Sequence, residues 1–185
     1  MLSNIAARTS RIGLFTAVTT LSLLDPVRAF EDYSTLDNVS GGRLELIIGK
    51  GNGAAQAQLL NVTTADQWDR NRERYELFRL LWEREDVTWS GRFRPALVEA
   101  KALPRPLQRR IRIWHGSATS TDSVDLAARY GDPVFSANVT HPDALVGAGT
   151  AGFYVAPTSQ EAVATYRPTF EARLSAQRKV PMPAA

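Results

Sequence analysis

An α/β fold with parallel strands and flanking helices is the class this sequence predicts, and three observations predict it. Residues 11–20 and 43–48 are apolar runs of strand length with a helical pattern between them. That helix is bracketed by opposite signals, Asp25 with Pro26 at its start and Gly41-Gly42 at its end. The same alternation recurs at 111–138, where IRIWHG leads into a helix stopped by Gly131 and then a further apolar run. Strand–helix–strand units imply parallel pairing with a right-handed crossover.

Each element follows from local chemistry. Residues 1–10 read as the tail of a helix and a turn. In 11–20, Ile12, Leu14, Thr16 and Val18 alternate with Gly13, Phe15 and Ala17, as in a buried strand. Asp25 caps the helix at 26–38, and Val27, Phe30, Tyr33 and Leu36 give it one apolar face. Gly41 and Gly42 stop it, since glycine takes the left-handed conformation cheaply. The strand at 43–48 ends in Gly49-Lys50-Gly51-Asn52, and in parallel α/β folds ligands bind at that end of a strand. Residues 49–64 are rich in glycine, alanine and glutamine and read as a loop over the site.

A helix is expected over 64–85, with Trp68, Tyr75, Phe78, Leu81 and Trp82 turned to the core. Residues 87–98 alternate and turn at Ser90-Gly91, so a hairpin is expected there, ended by Pro104 and Pro106. After IRIWHG, Ser120 or Thr121 caps a helix through Val124, Leu126 and Ala127, and 134–138 forms the next strand. Residues 147–156 read as a glycine-rich strand. Its GxG lacks the third glycine and the helix of a dinucleotide fingerprint. Thr158-Ser159-Gln160-Glu161 is a capping box for a helix reaching about Lys179, with a kink or restart at Pro168 and a loose tail after it.

Composition excludes several classes. Of 185 residues, 44% are hydrophobic and 22% charged, as in a soluble globular protein rather than a disordered one. With no cysteine, a disulfide framework, thiolate metal sites and a cysteine nucleophile are excluded, which fits a cytoplasmic protein. The net charge of +3 comes mostly from scattered arginines, which are read as solvated rather than as a nucleic-acid face. No apolar run reaches the length of a membrane span. Arg8 and Arg11 before an apolar stretch imitate a secretory or transit signal. The alternation in 11–20, followed by a capped helix, favours a strand.

Two longer blocks carry more information. TAVTTLSLLDPVRAFEDYSTLDNVSGGRLELIIGKG (16–51) and PRPLQRRIRIWHGSATSTDSVDLAARYGDPVF (104–135) resemble the luciferase-like, flavin-dependent monooxygenase family, in the family's order. The resemblance implies a (β/α)8 barrel, reduced flavin (usually FMN, sometimes a deazaflavin) and oxygen chemistry. It also implies that the chain is one incomplete barrel domain, lacking the first two strands and the closing segments. A deletion is expected near Pro142-Asp143, dividing the domain into 1–142 and a strand–helix segment at 143–185. A complete barrel takes about 250 residues.

On that resemblance, Ser120 and Ser123 in SATSTDS would hold the cofactor phosphate, since a helix start with hydroxyls suits an anion. Ordinary capping is the plainer reading of the same residues. Lys50 would be the phosphate's cation, standing where relatives often carry arginine. Thr16 and Ala17 would let the flavin ring lie against backbone, although small residues also suit a barrel layer. His115 could face the site or pack in the barrel; neither it nor His141 shows a recognisable acid or cysteine partner, so no metal site or triad is expected. The catalytic base is unidentified. The implied function is a flavin-dependent monooxygenase using reduced FMN and O2 on a small organic substrate, supplied by a separate flavin reductase. Dimerisation through helices near 26–38 is implied as well. Two other readings stand beside it, an inactive barrel remnant acting only by association and, on the signal-like N-terminus, a secreted binding protein.

Overall fold

The chain runs α1 (Leu2–Arg8), β1 (Leu14–Thr20), α2 (Pro26–Ser40), β2 (Leu44–Gly49), α3 (Ala54–Leu59), α4 (Gln67–Glu83), β3 (Asp86–Trp89), β4 (Leu97–Lys101), β5 (Arg112–Ser117), α5 (Thr121–Tyr130), β6 (Val134–Ser136) and β7 (Gly147–Gly149). These come from a computed structural model, which describes residues 1–51, 54–117, 120–136, 147–149 and 164. Residues Met1–Gly149 form one unit and Thr150–Ala185 a second, in which only Ala164 is described. The suspected junction at Pro142-Asp143, His141, the capping box and the terminal helix lie outside the described residues.

One five-stranded sheet, ordered β1-β2-β5-β6-β7, is parallel throughout. The hairpin β3-β4 is antiparallel and separate, inserted between α4 and β5. The expected α/β class with parallel strands and flanking helices is what the chain forms. Helix α2 begins as its sequence dictates: the Asp25 carboxylate accepts from the N–H groups of Val27 (2.9 Å) and Arg28 (3.3 Å). It ends at Gly41, whose φ of 68° is the left-handed conformation that closes a helix. Helices α2 and α4 pack on one face of the sheet, burying Phe30, Tyr75, Phe78, Leu81 and Trp82 against Leu44, Leu46, Ile48 and Ile113. Each such side chain contributes about 2 kcal/mol on burial.

The other face is concave. Phe15 on β1 and Phe135 on β6 lie three strands apart, about 14 Å across a flat sheet. Their ring centroids are 6.4 Å apart, so the sheet coils and the rings lean inward. Trp114 joins them at 6.1 Å from Phe135, and its indole N–H donates to Glu45 at 2.8 Å.

Some expectations are corrected. The stretch 49–64 is not all loop, because Ala54–Leu59 is helical with Ala57 buried. Its alanines and glutamines are good helix formers, and they prevail once the glycines are behind them. Strand β1 starts at Leu14 and Ile12 is half exposed, so the apolar alternation overran the strand by two or three residues. The hairpin's second strand runs to Lys101 and its connection is longer than the Ser90-Gly91 turn. The helix expected through Val124, Leu126 and Ala127 forms as α5, with Leu126 and Ala127 buried and Val124 exposed.

Candidate functional site

The C-terminal ends of β1, β2 and β5 lie side by side. Strand β1 is irregular there: Ala17 pairs with Ile47 and Thr19 with Ile48, leaving Val18 as the extra residue. The Ala17-Val18 peptide is cis. Val18 lies on the concave face, above two glycines. A methyl group added at Gly49 would stand 2.9 Å from Val18 Cγ2, and one at Gly116 would stand 3.2 Å from Val18 Cγ1. A side chain at Gly49 would force Val18 to shift and one at Gly116 would press against it, so the two glycines make room for Val18 over β2 and β5. Just beyond, Gly51 has φ 78° and no room for a side chain, since Thr20 Cγ2 would be 2.6 Å away. The result is a small, apolar, half-open floor at the mouth of the sheet.

Lys50 sits at the rim of this floor. Its carbonyl accepts a 2.6 Å hydrogen bond from Ser22 Oγ, and its ammonium lies 5.5 Å from the centre of the Trp68 ring. Trp68 was expected in the core, and instead it meets Lys50. Across the floor, Ser120 is the N-cap of the ten-residue α5, with Asp122 in the first turn. Asp122 is paired with Arg72 at 3.2 Å, which offsets a negative charge beside that helix start. Ser123 is buried, and its hydroxyl donates to the Gly116 carbonyl at 3.3 Å, fastening α5 to β5.

Thr16 and Ala17 part company. Ala17 is exposed beside Val18. The Thr16 hydroxyl hydrogen-bonds with Thr19 Oγ1 (2.8 Å), accepts from the Ile47 N–H (3.3 Å) and donates to the Ile47 carbonyl (3.4 Å), so it ties β1 to β2. Thr19 continues the chain to the Tyr33 hydroxyl at 2.7 Å. Burial raises the Tyr33 pKa above its ordinary value, opposed by the Thr19 hydrogen bond.

His115 corrects the expectation that it has no acid partner. It is buried on the helix side of β5, with Nε2 3.2 Å from Asp132 Oδ2. The same carboxylate accepts a short hydrogen bond from the Tyr75 hydroxyl and pairs with Arg79 at 2.8 Å. Burial works to raise the Asp132 pKa, but the donors His115, Tyr75 and Arg79 outweigh it and hold the carboxyl below its ordinary value. This network braces α4, β5 and the α5–β6 turn, on the opposite face from the floor. Seventeen residues separate His115 from Asp132, and no spacing rule links them.

Sequence reasoning also missed the first turns of α4. Gln67 and Asn71 are buried, and Gln67 Nε2, Arg70 Nε, Asn71 Oδ1 and Arg74 Nε have no hydrogen-bond partner. Among the described residues no cluster of His, Asp and Glu is placed to hold a metal ion, and no helix is long and apolar enough to cross a membrane.

A coiled parallel sheet with its small-residue floor and a helix start at the strands' C-terminal ends defines an α/β-barrel type of ligand-binding architecture. The chain belongs to the luciferase-like monooxygenase family, whose model matches residues 1–149. It is 31% identical over 127 residues to an uncharacterised protein of Mycobacterium tuberculosis, a match covering 69% of this chain and 45% of that one. It is 35% identical over 108 residues to the F420-dependent glucose-6-phosphate dehydrogenase of Kineococcus radiotolerans, covering 56% and 32%. The chain thus spans about half, or less, of the length of the curated relatives it matches. Among solved structures, the monooxygenase RslO1 from Streptomyces bottropensis is similar with a TM-score of 0.77 and 26% identity, over 92% of this chain and 58% of that one. The FMN-bound oxygenating constituent of 3,6-diketocamphane monooxygenase from Pseudomonas putida shares the fold, with a TM-score of 0.63 and 20% identity over 73% and 41%.

Proposed function

We propose that the chain carries the cofactor floor of a flavin-dependent monooxygenase that uses reduced FMN and O2 on a small organic substrate. One observation carries this reading: the Val18-over-glycine floor, Lys50 and the start of α5 meet at the same end of the sheet. A flat apolar ring fits a surface where Gly49 and Gly116 keep side chains away. A phosphate suits a helix start, a hydroxyl and a cation at one end of a sheet. Reduced FMN, when bound, supplies the electrons for oxygen chemistry.

The chain's own residues then divide the work. Ala17 and Val18 support the ring, and Thr16 holds their strand in place by its bonds to β2. Lys50 neutralises phosphate charge, with Ser22 and Trp68 fixing its position. Ser120 offers a hydroxyl at the helix start. Ser123 acts through α5, which it anchors to Gly116. Arg72 keeps the Asp122 carboxylate from repelling the anion. The reading includes a cytoplasmic setting, a separate flavin reductase as electron source and pairing of two copies through α2.

A second reading is favoured by the F420-dependent relative: a deazaflavin on the same floor, with hydride transfer in place of oxygenation. Titration of the purified chain with FMN and with F420, followed by flavin fluorescence, decides between them. FMN binding that the Lys50→Ala, Ser120→Ala double variant loses supports the first reading. F420 binding without FMN binding selects the second. Neither, in a chain with native circular dichroism, leaves the inactive remnant.

A further inference from the structure

We propose that the notch between the start of β5 and the α5–β6 turn binds a small organic carboxylate, gripped by Arg110 and Arg112 against an apolar wall and separate from the flavin floor. The notch is a cavity of about 370 Å³, within the range of small-molecule pockets, about 300–1,000 Å³. It exists because the sheet lacks a corner. Strand β6 pairs with β5 only from His115 onward, so Arg112 and Ile113 pair with β2 on one side and, among the described residues, have no strand on the other. The His115 N–H donates to the Pro133 carbonyl at 2.9 Å, and Pro133 has no N–H with which to continue the ladder. Ile111, Ile113 and Trp82 form the apolar wall, and the Trp82 ring is fixed by its N–H, which donates to the Gln108 carbonyl at 3.0 Å. Tyr130, whose ring lies 5.5 Å from the Arg79 guanidinium, adds a half-buried aromatic side.

Charge decides the class of ligand. The charged side chains lining the notch are Arg79, Arg110, Arg112, Glu83 and Asp132. Both carboxylates are engaged by Arg79, Glu83 at 3.1 Å and Asp132 at 2.8 Å, and Asp132 also accepts from Tyr75 and lies 3.2 Å from His115. Arg110 and Arg112 are exposed, and their guanidinium groups have no partner among the described residues. Three arginines against two carboxylates leave one positive charge, which a monoanion balances. Helices α4 and α5 both end at the notch, and helix C-termini by themselves repel an anion. Their carbonyls are already in use. Arg105 donates to those of Leu81 (2.8 Å) and Trp82 (2.9 Å), and the N–H groups of Gly131 and Asp132 return to Ala128 (3.3 Å) and Ala127 (2.9 Å). An inorganic anion would use the arginines and leave the apolar wall uncovered, whereas a carboxylate on an apolar body uses both. The planar guanidinium fork matches a carboxylate. The notch stands at the C-terminal end of α5, about 15 Å along that helix from Ser120, so its occupant does not compete for the floor.

The test uses the full chain with benzoate as the probe. Benzamide keeps the ring without the charge, and acetate keeps the charge without the ring. In titration calorimetry benzoate is expected to bind about tenfold or more tightly than either. Arg110→Gln with Arg112→Gln alters exposed side chains only and so leaves the fold intact. The double variant is expected to weaken benzoate about tenfold and to leave benzamide unchanged. Saturating FMN is expected to leave the benzoate affinity as it was. No benzoate binding by a chain with native circular dichroism overturns the site. So does benzoate affinity retained in the double variant, or benzamide binding as tightly as benzoate. Displacement of benzoate by FMN overturns it as well, by putting the probe on the floor.

Discussion

The two ends of the sheet are built on opposite principles. At the N-terminal ends of the strands, every approach is pinned. Arg43 alone donates to the carbonyls of Ala6, Thr9, Ile12 and Ser40 and to the Thr9 hydroxyl, clasping α1 beneath β1 and β2. The fully buried Asp37 carboxylate accepts from the Gln108 N–H (2.9 Å) and Nε2 (2.7 Å), and Arg105 closes the last carbonyls of α4. Asp132 gathers Tyr75, Arg79 and His115. At the C-terminal ends stand glycines, short hydroxyl side chains, Lys50 and the orphaned atoms of α4. The buried polar atoms left without partners gather at the end away from these clasps.

That contrast can be broken from the rigid end first. Asp132→Ala leaves Arg79 and His115 without their carboxylate and is expected to cost about 3–5 kcal/mol in urea unfolding. The Asp132 pKa is lower folded than unfolded. The stability it contributes is present above about pH 4, the unfolded value, and is lost as pH falls through the folded value. In an acid titration the wild type should lose stability below pH 4 more steeply than Asp132→Ala. Gln108→Ala removes the side-chain half of the pair of hydrogen bonds to the buried Asp37 and is expected to cost about 1–2 kcal/mol, with flavin affinity unchanged.

At the open end the order of effects reverses. Gly49→Ala brings a methyl group against Val18 and is expected to cost about 1 kcal/mol in stability. The same change should weaken flavin binding at least tenfold, because Val18 must move off the floor. Lys50→Ala with Ser120→Ala is expected to cost about 1 kcal/mol, the size of a lost helix cap, while removing most of the FMN affinity. If Gln108→Ala weakens flavin binding as much as Gly49→Ala does, the separation of the two ends fails.

The parts legible in the sequence are those governed by neighbours in the chain. Asp25, Pro26 and Gly41 mark α2 because caps act within four residues. The apolar runs of β2 and β5 are readable because both strands are buried on the helix side. Long-range contacts left no such mark. Val18 leaves register because Gly49 and Gly116, thirty-one and ninety-eight positions away, give it somewhere to lie. His115 meets Asp132 only after α5 has turned the chain, and Lys50 meets Trp68 across α3. Of the residues expected at the site, Lys50, Ala17 and Ser120 stand around the floor, whereas Thr16 and Ser123 are committed to holding strands and helix together.

The insertion of the hairpin between β2 and β5 also sets a timetable. Strand β2 must wait for its second neighbour until about sixty more residues have been made. At ribosomal speeds of about 5–20 residues per second, that is roughly 3–12 s. During that interval the apolar edge of Leu44–Gly49 lies open to any other nascent strand. The local pairing of β3 with β4 forms in microseconds once made, so it can shelter α4 but cannot relieve β2. Synthesis rate across residues 50–112 is therefore the variable on which the yield of native chain should depend most.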